Sequence, residues 1–209
     1  AVVAGTVNFE TVANNADITL NQLSMTGAID LTTSGAGGNA TVVNAIATVL
    51  EASTVDGSLD VTATLGSITD NATPTITVGS GASFTAVGAG GAVTIDGTLA
   101  GVTDLTIATV GDFRVDGDNA TNLSSLTITV DPATAANSTY TLNPATYANV
   151  SAFSLTDNGA NLELGATTFT TAVNFSLTST TGNLTDTGIA VIPGTATFET
   201  VANNADITL

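Results

Sequence analysis

Ala190-Val-Ile-Pro-Gly-Thr-Ala-Thr-Phe-Glu-Thr-Val-Ala-Asn-Asn-Ala-Asp-Ile-Thr-Leu209 repeats, at an offset of 189, the stretch Ala1-Val-Val-Ala-Gly-Thr-Val-Asn-Phe-Glu-Thr-Val-Ala-Asn-Asn-Ala-Asp-Ile-Thr-Leu20. The two agree at 16 of 20 positions, without a break from Phe9/Phe198 to Leu20/Leu209. Self-similarity at a fixed long spacing is the signature of a tandem array. We therefore read residues 1–189 as one repeat unit and residues 190–209 as the start of the next.

A second, shorter repetition lies inside the unit. Leu50-Glu-Ala-Ser-Thr-Val55 matches Leu164-Gly-Ala-Thr-Thr-Phe169 at an offset of 114, and Val61–Asp70 matches Leu177–Asp186 at 116. Phe84, Val87, Val93 and Ile95 then match Phe198, Val201, Ile207 and Leu209 at 114 again. A module at 50–95 thus recurs at 164–209, with small adjustments in its turns. Within the array, copies alternate at offsets of 114 and 75. Equal bead-like domains do not produce that pattern, but a solenoid accepts it, because coils can be added in any number.

Composition points to strands. Hydrophobic residues make up 43% of the chain but aromatics only 4%, so Val, Ile, Leu and Ala must fill the core, with Thr abundant elsewhere. β-Branched residues suit pleated surfaces. Short alternating runs recur at Ala16–Leu20, Leu23–Met25, Ala28–Leu31, Ser58–Ala63, Thr75–Val78, Ala92–Ile95, Asp104–Ile107, Leu126–Val130, Phe153–Leu155, Leu162–Leu164 and Asn174–Thr178. Gly, Asn, Asp or Ser bound each run. Asp56-Gly57, Asp96-Gly97 and Asp116-Gly117 are turn dipeptides, serving hairpins or coil corners. Val42, Val43, Ile46, Val49 and Leu50 fall at helical spacing, but the second module copy has Gly165 and a Thr run where a helix would continue. Leu50–Val55 is therefore expected as a strand, and Thr41–Thr48 is left open.

The fold expected is all-β, a parallel β-solenoid, with tandem immunoglobulin-like β-sandwich domains as the alternative. Val61, Val78 and Ile95 recur at an interval of 17. Coils of about 17–20 residues would place roughly ten in the 189-residue unit, each advancing the stack by about 4.8 Å.

The phrases Gly57-Ser-Leu-Asp-Val-Thr-Ala-Thr-Leu-Gly-Ser-Ile-Thr-Asp70, Phe175-Ser-Leu-Thr-Ser-Thr-Thr-Gly-Asn-Leu-Thr-Asp-Thr-Gly188 and Ala196–Leu209 resemble the repeats of filamentous-haemagglutinin-like bacterial exoproteins. The resemblance covers roughly residues 45–209. It implies a right-handed parallel β-solenoid within a giant secreted or surface-bound protein. No functional residue is carried over by it.

Charge narrows the partners. One basic residue, Arg114, faces 18 acids, with no His and no Cys, for a net charge of −17. Phosphate binding needs Lys and Arg, so nucleic acid is excluded as a partner, and anionic membrane surfaces are disfavoured. No apolar run approaches the about 20 residues of a spanning helix, so membrane insertion is not expected. Nucleophile–base pairs of the ordinary kinds are absent, and no enzyme activity is expected. Asp112, Asp116 and Asp118 around Arg114 are the one carboxylate cluster that glycosidic chemistry could use, and turns on a solvated face explain them more simply. Asp116-Gly-Asp-Asn119 offers hard oxygen ligands of the kind Ca²⁺ prefers. The further acids of a full Ca²⁺ loop are missing, so no catalytic, cofactor or metal residue is assigned. Eight Asn-x-Ser/Thr sequons, at Asn39, Asn71, Asn119, Asn122, Asn137, Asn149, Asn174 and Asn183, are common in a Thr-rich chain. Asn14-Asn15 and Asn203-Asn204 suit coil corners, where Asn tolerates a left-handed backbone and amides can stack. Phe9, Phe84, Phe113, Phe153, Phe169, Phe175 and Phe198 are read as core fillers.

The functional expectation is a structural segment of an extracellular, tandemly repeated fibre, whose partner is the adjacent repeat or another copy, end to end. The alternative is an adhesin module that recognises glycan or a cell surface. A chain with one trypsin-type cleavage point and no Cys fits life outside a cell.

Overall fold

Parallel pairing between strands one coil apart organises the chain in this computed structural model, which describes residues 5–71, 74–111, 113–115, 123–130, 139–142, 145–159 and 161–209. Every regular element among these residues is a strand, and every strand pairing recorded there is parallel. That removes the β-sandwich alternative, whose strands pair antiparallel, and leaves a β-solenoid. The chain divides into two units, Ala1–Asn119 and Ala120–Leu209.

In the first unit, each coil passes through three lanes. Lane 1 stacks Ile18–Leu23, Ala40–Asn44, Leu59–Ala63, Gly81–Ala86 and Asp104–Thr109. Lane 2 stacks Thr48–Leu50, Ile68–Asp70, Val93–Ile95 and Phe113–Val115; lane 3 stacks Ser53–Val55, Thr75–Val78 and Thr98–Ala100. Ala28–Thr32 spans lanes 2 and 3, since Ile29 pairs Leu50 while Thr32 pairs Thr54. Val7–Glu10 lies beside it, with Phe9 opposite Leu31.

The second unit has the same plan. Its lane 1 holds Ser125–Val130, Ala152–Asp157, Val173–Ser179 and Gly194–Thr200; its lane 2 holds Thr139–Leu142, Asn161–Leu164, Leu184–Asp186 and Ile207–Thr208. Its lane 3 holds Ala145–Tyr147 and Thr167–Phe169, followed by a single bridge from Thr168 to Val191. The two module copies agree lane by lane. Val61 and Leu177 lie in lane 1, Ile68 and Leu184 in lane 2, Val55 and Phe169 in lane 3, and Phe84 and Phe198 in lane 1 again.

Coils are longer than the sequence interval suggests. In lane 1, Leu20 faces Val42, an offset of 22; Val42 faces Val61 at 19; and Phe84 sits at an offset of 23 from both Val61 and Ile107. In the second unit Ile128 faces Leu155 at an offset of 27, Leu177 follows at 22 and Phe198 at 21. A 189-residue unit accordingly holds about eight coils rather than ten. The interval of 17 was an alias. Val61 sits in lane 1, Val78 in lane 3 and Ile95 in lane 2, so that step carries the chain two lanes on instead of once round.

Alternation within the strands builds the core. On lane 1 of the first unit, Leu59, Ala82 and Leu105 form one inward column, and Val42, Val61, Phe84 and Ile107 the next, all buried. Large and small residues succeed each other in the first column, which lets successive coils interdigitate. Outward positions of the same strands carry Thr41, Asp60, Thr62, Ser83, Thr85 and Thr106, which remain partly or fully exposed.

Leu50–Val55, expected as one strand, is two: Thr48–Leu50 and Ser53–Val55, with a corner at 51–52. Leu50 and Val55 are both buried. Separated by an odd number of positions, they would point to opposite faces of an unbroken strand, so the chain must turn between them. Ser53 fixes that corner by donating to the Glu51 carbonyl and accepting from the Leu31 N–H. The open segment 41–48 contributes lane 1 strand up to Asn44. Buried Asn44 accepts from the Met25 N–H and donates to the carbonyls of Met25 and Ala47, stapling the following corner without leaving its own amide unsatisfied.

Aromatics concentrate in the second unit. Phe153 stacks on Phe175 at 5.2 Å and meets Phe169 edge-on at 5.3 Å, while Tyr147 stacks on Phe169 at 5.0 Å. Such pairs add about 0.5–1.5 kcal/mol each beyond their buried area. Phe84, Phe113, Phe153, Phe169 and Phe175 are buried, whereas Phe9 and Phe198 are only half-buried.

Burial raises the Tyr147 phenol above the ordinary tyrosine range by disfavouring its charged form. The folded state thus holds this proton longer than the unfolded chain does. Its contribution to stability is complete below about pH 10 and is lost as pH rises beyond that. Urea midpoints measured from about pH 8 to about pH 11.5 should fall above about pH 10 in the native protein, and Tyr147→Phe should flatten that fall.

Candidate functional site

The turn residues acquire their roles from the coil geometry. Since pairing is parallel, Asp56-Gly57 and Asp96-Gly97 serve corners, not hairpins. Asp56 accepts from the Gly35 N–H of the coil before, and Asp70 accepts from the N–H groups of Asp96 and Gly97 one coil later. Gly97 is required by contact, because a Cβ there would collide with the Pro74 carbonyl oxygen.

A ladder of side-chain acceptors runs along the corner that leads into lane 1 of the first unit. Asp17 Oδ1 accepts from the backbone N–H and the side-chain amide of Asn39 at 2.9 and 3.2 Å. Asn39 Oδ1 in turn accepts from the backbone N–H and hydroxyl of Ser58 at 2.9 and 2.8 Å. The second unit has a matching ladder into lane 2: Asn161 Oδ1 accepts the Asn183 N–H, and Asn183 Oδ1 accepts the Asp206 N–H. In each case an oxygen in one coil satisfies the N–H with which the next coil enters its strand, where the backbone ladder has not yet begun.

The repeated phrase behaves as a portable corner. Asn15 and Asn204 both adopt a left-handed backbone, with φ of 60° and 61°, which Asn accepts more readily than most residues. Asn15 Oδ1 also accepts from the Gly37 N–H of the next coil. The first copy runs from a strand beside lanes 2 and 3 into lane 1, whereas the second runs from lane 1 into lane 2. One sequence thus makes the same turn at two different corners.

The outer coils expose apolar surface. Val12 and Ile189 are each 84% exposed, and Val191, Val201, Ile207 and Leu209 are also open. An open hollow of about 720 Å³ lies among Leu164, Ile189, Ala190, Ile192, Phe198 and Leu209 in the second unit. Beside it, among the described residues, no strand follows Gly194–Thr200 or Ile207–Thr208 on its lane.

The residues singled out in the sequence for chemistry fall elsewhere. Asp112, Asp116, Asp118 and Asn119 lie outside the described residues; of Arg114 only the backbone, in strand Phe113–Val115, is described. Among the described residues no group of three or more His, Cys, Asp and Glu converges, and no helix is long and apolar enough to cross a membrane. Of the sequons, Asn39 and Asn183 are ladder members, Asn71 donates to Glu51 Oε1, Asn174 accepts from the Thr195 hydroxyl, and Asn149 has φ of 57°. Asn119, Asn122 and Asn137 lie outside the described residues. The exposed hollow had no sequence signal, because its walls come from residues that read as ordinary core.

A family model described as repeats of unknown function (DUF5649) matches residues 37–106 and 149–209, together more than half of the chain. No curated protein and no solved structure matches it.

The Asn39 ladder gives a direct test of corner energetics. Asn39→Ala removes the side-chain hydrogen bonds to Asp17, Gly37 and Ser58 at a partly exposed corner. It should lower the unfolding free energy by about 1–2 kcal/mol in urea titration. Asn39→Asp keeps the acceptor for Ser58 but sets a carboxylate against Asp17. Its loss should shrink when about 0.5 M salt is added, and the Ala variant's should not.

Proposed function

We propose that this chain, which belongs to the DUF5649 repeat family, is a length-building structural segment of an extracellular fibre, assembled by stacking coil on coil. The observation that carries this reading is the lane agreement between residues 50–95 and 164–209. A duplicated block enters the stack with its strands on the matching lanes, and the inward Val55, Val61 and Ile68 of the first copy have buried counterparts in Phe169, Leu177 and Leu184. Length can therefore grow by duplication without redesign of the cross-section, as in solenoids generally.

Composition supports the same reading. The net charge of −17 keeps stacked segments soluble and opposes side-by-side association. A single basic residue and no Cys suit a chain that meets proteases outside a cell and needs no redox control. The resemblance to filamentous-haemagglutinin-like exoproteins supports secretion and surface display. The partner on this reading is a neighbouring repeat or another copy of the chain.

Cryo-electron images of the protein after concentration should show filaments with a repeat of about 4.8 Å along their axis, and a glycan array should remain blank. Saturable glycan binding by a protein that forms no filaments would replace this reading with that of an adhesin.

A further inference from the structure

We propose that Asn158-Gly159 is a self-modifying site. There the folded coil drives the Asn158 side chain to a cyclic imide and then, with water, to an aspartyl or isoaspartyl residue.

Asn158-Gly159 is the single Asn-Gly pair in the chain. Gly sets no side chain against the bond that must form, so its nitrogen can approach the preceding side-chain carbonyl closely. The pair sits between the lane 1 strand Ala152–Asp157 and the lane 2 strand Asn161–Leu164. The Asn158 N–H continues the backbone ladder by donating to the Val130 carbonyl at 2.8 Å. The Gly159 N–H turns away from it and donates to Asp157 Oδ1 at 2.9 Å. Asn158 is exposed, whereas Asp157 and Gly159 are buried.

Two contacts address the two places where charge moves. Cyclisation requires the Gly159 nitrogen to lose its proton as it attacks, and a carboxylate already hydrogen-bonded to that proton is a positioned base. Attack also drives negative charge onto Asn158 Oδ1. The Thr180 hydroxyl, one coil on, lies 3.1 Å from that oxygen and 3.2 Å from the Asp157 carbonyl oxygen. The Asp157 carbonyl already accepts from the Thr180 N–H at 2.9 Å. The hydroxyl proton is therefore left for Asn158 Oδ1, where it stabilises the charge as it develops.

Turn closure alone does not account for Asp157. Its register partner in the next coil is Ser179, whose hydroxyl accepts from the Gly182 N–H. A hydroxyl thus suffices to staple that corner, and a carboxylate with no exposure is the more costly group to bury.

The reaction balances within the site and needs only water besides. The bond from Gly159 N to Asn158 Cγ forms and the bond from Cγ to Nδ2 breaks. The proton taken up by Asp157 leaves with Nδ2 as ammonia. Water then opens the imide. Attack at Cγ leaves an aspartyl residue, and attack at the backbone carbonyl leaves an isoaspartyl residue with a main chain longer by one atom. Either product adds a negative charge. The extra atom falls between strands, at a level where coil offsets already change from 27 to 22, so the lanes keep their register.

The native protein, held at neutral pH in water enriched in heavy oxygen, should lose ammonia at position 158 and gain heavy oxygen there, as read by peptide mapping. It should do so faster than the same chain unfolded in urea. Asp157→Asn keeps an acceptor for the Gly159 N–H but removes the base, and should slow conversion by about 100-fold. Thr180→Val should slow it as well, with circular dichroism showing both variants folded. A native rate equal to or below the rate in urea overturns the proposal, because the fold would then protect the pair instead of activating it. That comparison uses the unaltered chain and so holds even where a variant fails to fold. A folded Asp157→Asn variant that converts at the native rate overturns the proposal too.

Discussion

Parallel, in-register pairing between consecutive coils is the constraint on which the rest of this structure depends. Each strand receives its backbone partners from the coil before and passes them to the coil after. Inward residues must therefore stack on inward residues: Val42, Val61, Phe84 and Ile107 form a single column although their spacing along the chain is uneven. Variation in length has to be taken up where no ladder exists, at the corners. The long coil from Ile128 to Leu155 and the short one from Leu177 to Phe198 can then share a lane without disturbing its register.

The corners carry the specificity that the strands lack. Lane residues are interchangeable Val, Ile, Leu and Thr, but the corners rely on Asn, Asp and Gly at defined positions. Asn39 and Asn183 each take the entering N–H of the next coil and so set where its strand begins. The identical phrase Phe-Glu-Thr-Val-Ala-Asn-Asn-Ala-Asp-Ile-Thr-Leu turns two different corners with the same left-handed Asn. Corner shape is therefore encoded locally, while the lane is set by whatever coil lies beneath.

That division explains what the sequence made legible. Strands such as Thr75–Val78 and Leu126–Val130 stand out because apolar alternation and flanking breakers are local properties, and the structure places strands at both. The module copies were visible for the same reason. Coil length was not, because all three lanes point β-branched residues inward, and the regular recurrence of Val61, Val78 and Ile95 imitates a coil. The corner inside Leu50–Val55 was hidden by a Glu-Ala-Ser sequence with no Gly or Pro. Of the candidate site, Asn15 and Asn204 were readable from the backbone tolerance of Asn, whereas the ladder residues Asn39, Asn161 and Asn183 were not, because their role depends on which N–H the next coil presents. The hollow around Ile189 and Phe198 was not, since exposure depends on which coil follows and not on residue type.

The coil register is the most exposed part of this account, and the absence of Cys makes it easy to probe with engineered pairs. Thr62 and Thr85 face each other on adjacent lane 1 strands, one full coil apart, and the usual strand spacing of about 4.8 Å suits the Cα separation of about 4.4–6.8 Å that a disulfide needs. Asp60 and Thr77 are separated by the aliasing interval and lie on lanes 1 and 3. Mild oxidation followed by mass spectrometry should show an intramolecular disulfide in Thr62→Cys/Thr85→Cys and free thiols in Asp60→Cys/Thr77→Cys. The reverse outcome, a bond in the Asp60/Thr77 pair and none in the Thr62/Thr85 pair, would contradict the three-lane coil.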